Sequence, residues 1–484
     1  MITLSPSQDE ACDAFRRFLQ DENEKEFLLS GSAGTGKSFL VKYMVDITAD
    51  EYRLIRLINP AAINYGFHFS ATTNKAAGVL TALNRKQKAM TIHKTLGLIV
   101  KKDYQTGKSY LEQGKKTERL NETILVIDEA SMINRELLDI IRKVAKEFRN
   151  CKILYVGDKY QLPPVKEDPC SLFDSLKERH YLTEIQRQAL DSPIITFAHH
   201  FREILDDSTL PWPKVPYDGK TIIQYESRDE FEQAMKDTFR TAEEDPTIDV
   251  AAIKTLAWSN DVVREYSGMI RKHLGYEQDF CIGETVQSNH ALKNPQGPNM
   301  LAATDSYWTI DNVKSAREEY GCEGYELTLA PHDYDYEMFR VFQPKSWAQA
   351  GRIKKVYATH KNWKAFFAIE ETWADMRPVY AQTVHKSQGS TYDEVFIDVG
   401  DIGRNSKWYE IARLMYVAIT RARFRVHLFG VLPERGDKIK RETAIEVFAN
   451  AAKATDPWAE TKLGSKPNDK SSPRSLSEIL REAI

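Results

Sequence analysis

The sequence predicts an α/β protein built on parallel sheets and divided into more than one domain. Three observations predict it. Over the first ~190 residues, short β-rich apolar runs alternate with helical patterns, which argues for a parallel sheet with helices on both faces. A second alternating region runs from about Pro193 to Ile282 and resumes from Arg377 to about Asn450. Finally, Gly31–Ser38 reads Gly-Ser-Ala-Gly-Thr-Gly-Lys-Ser, the phosphate-binding pattern G-x-x-x-x-G-K-[ST]. It lies between an apolar strand, Glu26–Ser30, and a helix opening at Phe39.

The elements follow in order. Pro6–Gln20 reads as a helix and Phe27–Ser30 as a strand. Thr48–Tyr65 reads as long and irregular. Tyr65–Ala71, Thr123–Ile127 and Lys152–Val156 are predicted strands, with helices over Asn74–Leu83 and Arg135–Phe148. Between Leu98 and Arg119 the pattern changes to a β-hairpin with a Gly-containing loop, projecting from the first domain and carrying Lys101, Lys102, Lys108, Lys115 and Lys116. In the second region Thr255–Trp258, Val395–Asp398 and Arg425–Gly430 are predicted strands. His199-His200 is expected as a surface pair on a helix. Residues 284–376 are rich in Tyr, Trp and turn residues, with β-like runs such as Tyr325–Ala330 and weak helix periodicity. They read as a small β-rich insert. After about Trp458 the chain turns polar and Lys/Ser/Pro-rich, as a flexible linker would, and it ends in an amphipathic helix candidate, Leu476–Ile484. No internal repeats are seen.

A chain of 484 residues exceeds one compact core, so about two to four domains are expected. With 42% apolar and 28% charged residues it falls among soluble globular proteins. No apolar run reaches the ~18 residues of a membrane span, and Met1–Pro6 lacks a secretory n- and h-region. The five cysteines (Cys12, Cys151, Cys170, Cys281, Cys322) show no metal-ligand spacing, so reduced thiols in a cytoplasmic compartment are expected. A net charge of −3 gives no global basic signature, and nucleic-acid binding would need local basic surface.

The chemistry centres on the loop. Its glycines allow tight turns that aim N–H groups at a triphosphate. Lys37 can reach the β- and γ-phosphates, and the Ser38 hydroxyl can ligate Mg²⁺. The strand Ile124–Ile127 ends in Asp128 and Glu129. At the carboxyl end of a strand, Asp128 is placed to hold Mg²⁺ through its water shell, and Glu129 to orient and deprotonate water. In Val156–Val165, Gln161 can bond a γ-phosphate and a neighbouring loop, as a sensor of nucleotide state would. Arg187, in Leu182–Gln188, and Arg421, in Arg413–Arg423, come from opposite ends of the chain. A guanidinium supplied by a second domain makes hydrolysis depend on domain closure.

The order of the motifs resembles superfamily 1 helicases. Gln8, Gly31–Ser38, Ala71–Ala77, Thr91–Thr95, Asp128–Ser131, Gly157–Gln161 and Arg187 follow that family's series, as do Ala257–Asn260, Val384–Gly389 and Tyr416–Arg421. The His-Lys-x-Gln-Gly and Val-Ala-Ile-Thr-Arg-Ala-Arg forms look most like the RecD-type branch and its compact phage Dda type. The resemblance covers about residues 5–430. It implies that Gln8 reads the adenine of ATP, and that Gly31, Ala33, Gly34, Thr35, Gly36, Lys37 and Ser38 hold the phosphates, with Gly389 also at the nucleotide. Ser38 and Asp128 would hold Mg²⁺. Lys37, Asp128, Glu129 and Gln161 would act in catalysis, with Arg187 and Arg421 flanking the γ-phosphate. Thr72, Thr73, His93, Ser259, Asn260, Thr383 and His385 would line a single-strand path, as short polar groups that position phosphate and sugar without reading sequence.

The resemblance also implies two RecA-like domains, at 1–190 and at 191–283 with 377–450. The hairpin, about 97–120, would be a duplex-splitting pin with Tyr104 or Tyr110 as its aromatic. Residues 284–376 would form an SH3-like insert that packs towards the pin, and 451–484 a flexible linker and short helix. The expected activity is that of a monomeric, Mg²⁺- and ATP-dependent 5′–3′ DNA helicase acting on single-stranded and forked DNA, in a host cytoplasm if phage-encoded. The tail would tether single-strand-binding protein or another replication protein. Two other readings remain open: a translocase that strips proteins from single strands with little unwinding, and a nucleotide-switched recruitment subunit. The complete Asp128-Glu129 pair argues against the second.

Overall fold

The computed structural model describes residues 4–60, 63–83, 88–114, 117–164, 172–185, 192–294, 297, 300–319, 321–332 and 337–434. Two parallel sheets carry the architecture. The first has six strands in the order Met90–Thr91, Gly66–Ala71, Thr123–Asp128, Lys152–Gly157, Glu26–Gly31, Arg179–Leu182, all parallel. Its central strands are buried along nearly their whole length, as strands covered on both faces must be. Alternate residues serve opposite faces. Phe27, Leu29, Ile124 and Val126 pack with Phe15, Leu40 and Leu80 from the helices Pro6–Gln20, Lys37–Ile58 and Asn74–Leu83. Leu28, Leu125 and Ile127 pack on the other side with Leu138 and Ile141 of the helix Arg135–Lys146.

The second sheet orders five parallel strands as Ala381–Thr383, Ile253–Ala257, Tyr392–Asp398, Ala422–Phe429, Ile222–Tyr225. Val395 and Ile397 bury against the helices Pro193–Asp206 and Trp408–Ile419, whereas Phe396 points to the opposite core with Phe231 and Tyr266.

Between the two halves of this second sheet the chain builds a third, antiparallel one. Its order is Phe339–Pro344, Cys322–Pro331, Tyr307–Glu319, Thr285–Ser288, Met376–Pro378. The strands by which the chain enters and leaves this unit pair with each other, Val286 opposite Pro378. The β-rich character of this region is present, but its weak helix periodicity conceals two helices. Trp347–Thr359 and Trp363–Thr372 are helical, each started by a side-chain cap: Ser346 Oγ accepts from the Gln349 N–H and Asn362 Oδ1 from that of Ala365. Their aromatic residues obscured the helical period, since only Tyr357 and Phe367 join Ala350, Ile353 and Ile369 on the buried faces while Trp347 is exposed.

The irregular reading of Thr48–Tyr65 is likewise corrected. The helix that starts at Lys37 continues to Ile58. Its second half leaves Leu54, Leu57 and Ile58 exposed, so the amphipathic signal fades although the helix does not. The hairpin consists of Leu98–Lys102 and Ser109–Gln113 in register. It leans on the second helix of the third unit: Lys102 pairs with Glu371 at 3.0 Å, and the Tyr104 ring meets Phe367 edge-on at 5.7 Å.

Candidate active site

In the first sheet, Gly31, Asp128 and Asp158 fall at or just past the carboxyl ends of three adjacent parallel strands. That edge is where an open α/β sheet leaves its ligand crevice. The phosphate loop turns there through Gly34 (φ 81°) and Gly36 (φ 79°), and Gly36 starts the long helix. A side chain at Gly31 has no room, since its Cβ would stand 2.6 Å from Thr35 Oγ1. Lys37 lies across the loop, donating to the carbonyls of Gly31 at 2.5 Å and Ser32 at 3.0 Å. Ser38 is exposed and Thr35 buried. Gln8 is buried beside the loop. Its Nε2 donates to the Thr35 carbonyl at 3.2 Å, and its Oε1 accepts the Ser5 N–H in a capping box.

Asp128 and Glu129 stand together. Removal from bulk water raises the Asp128 pKa, against the Glu129 N–H that bonds its carboxylate at 2.8 Å and the charge of Lys37. Glu129 is pushed up to about 7, first by burial and then by Asp128, while Arg421 and Lys37 pull it down. Glu129 holds a left-handed backbone (φ 54°), rare for a non-glycine residue and costly enough to mark a site where geometry is imposed.

This set fits a magnesium-bound nucleoside triphosphate. Two carboxylates crowded at one strand end suit a hard divalent cation. The buried Gln161 Oε1 and the Ser131 and Ser390 hydroxyls have no hydrogen-bond partner in the protein, as groups awaiting a polar ligand would. The loop supplies the anion cradle.

Arg421, from the second half, is buried. It donates to the carbonyls of Val417 at 3.1 Å and Ser390 at 3.0 Å and to Thr420 Oγ1 at 3.2 Å, with its charge felt at Glu129. Arg187 and the tail lie outside the described residues.

The residues expected on a strand path divide. Thr73 and Gly389 meet across the halves, a Cβ on Gly389 (φ 71°) falling 3.1 Å from Thr73 Oγ1, and Thr72 donates to the Glu129 carbonyl at 3.3 Å. Asn260 and Thr383 border a small cleft with Asn289, Arg377 and Lys386. His93 and His385 are half-buried, and burial lowers both pKa values. The Ser259 hydroxyl is committed to the fold: it accepts from the Val262 N–H at 3.4 Å and donates to Asp401 at 3.0 Å.

Several site residues carried no sequence-based role. Asp158 is buried at the sheet edge. Arg413 reaches from the second half to the carbonyls of Lys159 at 2.6 Å and Gln161 at 2.8 Å, and Gln388 to that of Leu162 at 2.9 Å. His199 corrects its reading as part of a surface pair. It is 5% exposed, and its Nε2 donates to the Ala33 carbonyl at 3.0 Å. His200 alone faces outward. The spacing around His199 gave no signal, since the core residues Phe197 and Phe201 are each two positions away and so face the other side of the helix.

A phosphate loop, a strand-end carboxylate pair and a second parallel sheet facing them define a two-halved P-loop NTPase. Residues 17–167 match the model of an AAA domain, and 378–429 that of a UvrD-like helicase C-terminal domain. The chain is 24% identical to the ATP-dependent DNA helicase dda of Enterobacteria phage T4, over 84% of this chain and 94% of that one. It is 23% identical to protein R530 of Acanthamoeba polyphaga mimivirus, over 84% and 96%. A shorter match, 32% identical over 31% of this chain and 16% of the other, is to the DNA helicase PIF1 of Saccharomyces cerevisiae. A structure of Pif1 from Bacteroides with ADP-AlF3 and single-stranded DNA superposes with a TM-score of 0.46 at 14% identity, over 94% of this chain and 99% of that one. Over most of its length the chain is thus similar to a DNA helicase of the Dda type, and over a shorter part to one of the Pif1 type.

Proposed function

We propose that the protein is an ATP-dependent DNA helicase that moves 5′ to 3′ along a single strand and parts the duplex ahead of it. The observation that carries this reading is the composite cleft, in which the loop and carboxylates of the first sheet face Arg421, Arg413 and Gln388 of the second. Gly31–Ser38 would hold the triphosphate, with Gln8 and Gly389 beside it, and Ser38 and Asp128 would hold Mg²⁺. Bound ATP supplies the phosphoryl group whose cleavage drives the cycle.

Glu129 orients the attacking water and takes its proton, Gln161 reports the nucleotide to the neighbouring loop, and Arg187 and Arg421 gate hydrolysis on closure. Closure and reopening ratchet the halves, 1–190 and 191–283 with 377–450, along a strand that Thr72, Thr73, His93, Asn260, Thr383 and His385 contact, with Ser259 shaping the path. The hairpin at about 97–120 acts as the pin, and 284–376 as an SH3-like insert that braces it. The protein acts as a monomer in the cytoplasm, with residues 451–484 tethering a single-strand-binding or other replication protein.

Unwinding of 5′-tailed against 3′-tailed duplexes with ATP and Mg²⁺ tests the reading. Only the 5′-tailed substrate should open. Opening of the 3′-tailed substrate alone overturns the polarity, and opening of neither overturns the helicase assignment.

A further inference from the structure

The peptide of Ala33, in the middle of the phosphate loop, is gripped from both sides by the second half. Its N–H donates to the Tyr416 hydroxyl at 2.7 Å, and its carbonyl accepts from His199 Nε2 at 3.0 Å. One residue earlier, Arg202 donates to Ser32 Oγ at 3.1 Å. The Tyr416 hydroxyl also donates to Asp158 Oδ2 at 2.6 Å, so a single phenol joins the loop to the end of the neighbouring strand. Tyr416 is fully buried in the helix Trp408–Ile419, and His199 and Arg202 lie one turn apart on the helix Pro193–Asp206. These two helices pack together in the core of the second half, so the three side chains move as one body.

We propose that His199, Arg202 and Tyr416 are positioning residues that clamp the phosphate loop from the second half, so that the affinity of the loop for ATP depends on how the halves are closed. The proposal rests on the helicase reading and deepens it. A loop whose shape must be organised on binding loses affinity to that ordering. Here the shape of residues 32–33 is set by side chains that belong to the other side of the cleft. Closure on a DNA strand brings the clamp into register and prepares the loop. Opening withdraws the three contacts together and loosens the hold on nucleotide. The clamp touches the Ala33 backbone and the Ser32 hydroxyl and leaves the chemistry to the carboxylates.

The test uses the full chain with a fluorescent ATP analogue and an oligothymidylate strand. Tyr416→Phe removes the one hydroxyl that serves both Ala33 and Asp158. His199→Leu removes a donor, whereas His199→Gln keeps an N–H to offer the Ala33 carbonyl. In the presence of DNA, Tyr416→Phe and His199→Leu should each weaken analogue binding by about fivefold, the scale of one hydrogen bond, and raise KM for ATP alike while kcat falls less than that. His199→Gln should recover most of the loss. DNA should tighten analogue binding less in Tyr416→Phe than in the wild type.

Unchanged KM in Tyr416→Phe overturns the clamp, as does His199→Gln behaving like His199→Leu. If Tyr416→Phe does not fold, shown by its melting curve, the His199 pair decides alone. Absence of DNA-stimulated ATPase in the wild type would instead overturn the helicase reading. The two failures are therefore distinguishable.

Discussion

Gly107, at the tip of the hairpin, and Trp363, at the start of a helix in the third unit, stand in direct contact. A Cβ placed on the glycine would lie 2.4 Å from the indole ring, and Gly107 also holds a left-handed φ of 72°. The tip is thus seated on a flat aromatic surface that only a residue without a side chain can meet.

Replacing Gln105–Lys108, or substituting Gly107→Val alone, should unseat the hairpin from Trp363 and Phe367. Unwinding of a forked duplex should fall well below that of the wild type, while DNA-stimulated ATPase stays within about threefold, because Tyr104 and Gly107 pack on the third unit. Equal loss of both activities removes the assignment of the hairpin as a pin.

Lys37→Ala should abolish DNA-stimulated ATPase, and Glu129→Gln should lower it by about 10²–10⁴-fold, the usual contribution of a general base. Steady-state phosphate release measures both. Analogue binding should survive in Glu129→Gln, since the substitution keeps the shape of the cradle. Near-normal turnover in either variant contradicts the assigned chemistry.

Lys152 is buried inside the first half, and its ammonium donates to the carbonyls of Phe18, Asp21 and Glu24 at 2.7, 2.7 and 2.8 Å. It thereby closes the end of the helix that carries Gln8. Burial is its leading influence and lowers its pKa to about 8, yet three carbonyl acceptors use all three N–H bonds and favour the charged form. Lys152→Met should strand those carbonyls and destabilise the protein by about 3 kcal/mol, read as a lower midpoint in urea. An unchanged midpoint would show that water replaces the ammonium without cost.

Seven half-buried or buried imidazoles, His68, His93, His199, His273, His290, His385 and His427, have pKa values lowered first by burial. Each is neutral in the fold at neutral pH. As pH falls below the unfolded value of about 6.5, the unfolded chain takes up protons that the folded one refuses, so stability is lost until the folded values are reached. Tm should therefore drop as pH is lowered from 7 to 5. His427→Gln, which removes an imidazole stacked 4.0 Å from Phe396, should lower Tm at pH 7 and flatten the slope.

The parallel sheets and the place of the loop and carboxylates at their edge were legible because each has a local signature. Pro6–Gln20 and Asn74–Leu83 are helices over the predicted residues, and the strands ending at Ala71 and Asp128 lie where apolar runs stop at polar residues. What the sequence hid depends on partners far along the chain. Nothing near His199 says that its imidazole meets Ala33, 166 residues away, and nothing near Tyr416 points to Asp158. The helices Trp347–Thr359 and Trp363–Thr372 were obscured for a related reason. Their faces are shaped by the sheet and hairpin they touch, so aromatic residues occupy positions that an isolated amphipathic helix would leave polar.

The third unit leaves and re-enters the second half through two strands that lie side by side, Val286 against Pro378. Paired residues of this kind have Cα atoms only about 5 Å apart. A whole folded unit can therefore be gained, lost or exchanged there without moving the sheet beneath it. The same doorway admits experiment: a two-residue turn could replace everything between those strands, and a unit from another protein could be grafted in its place.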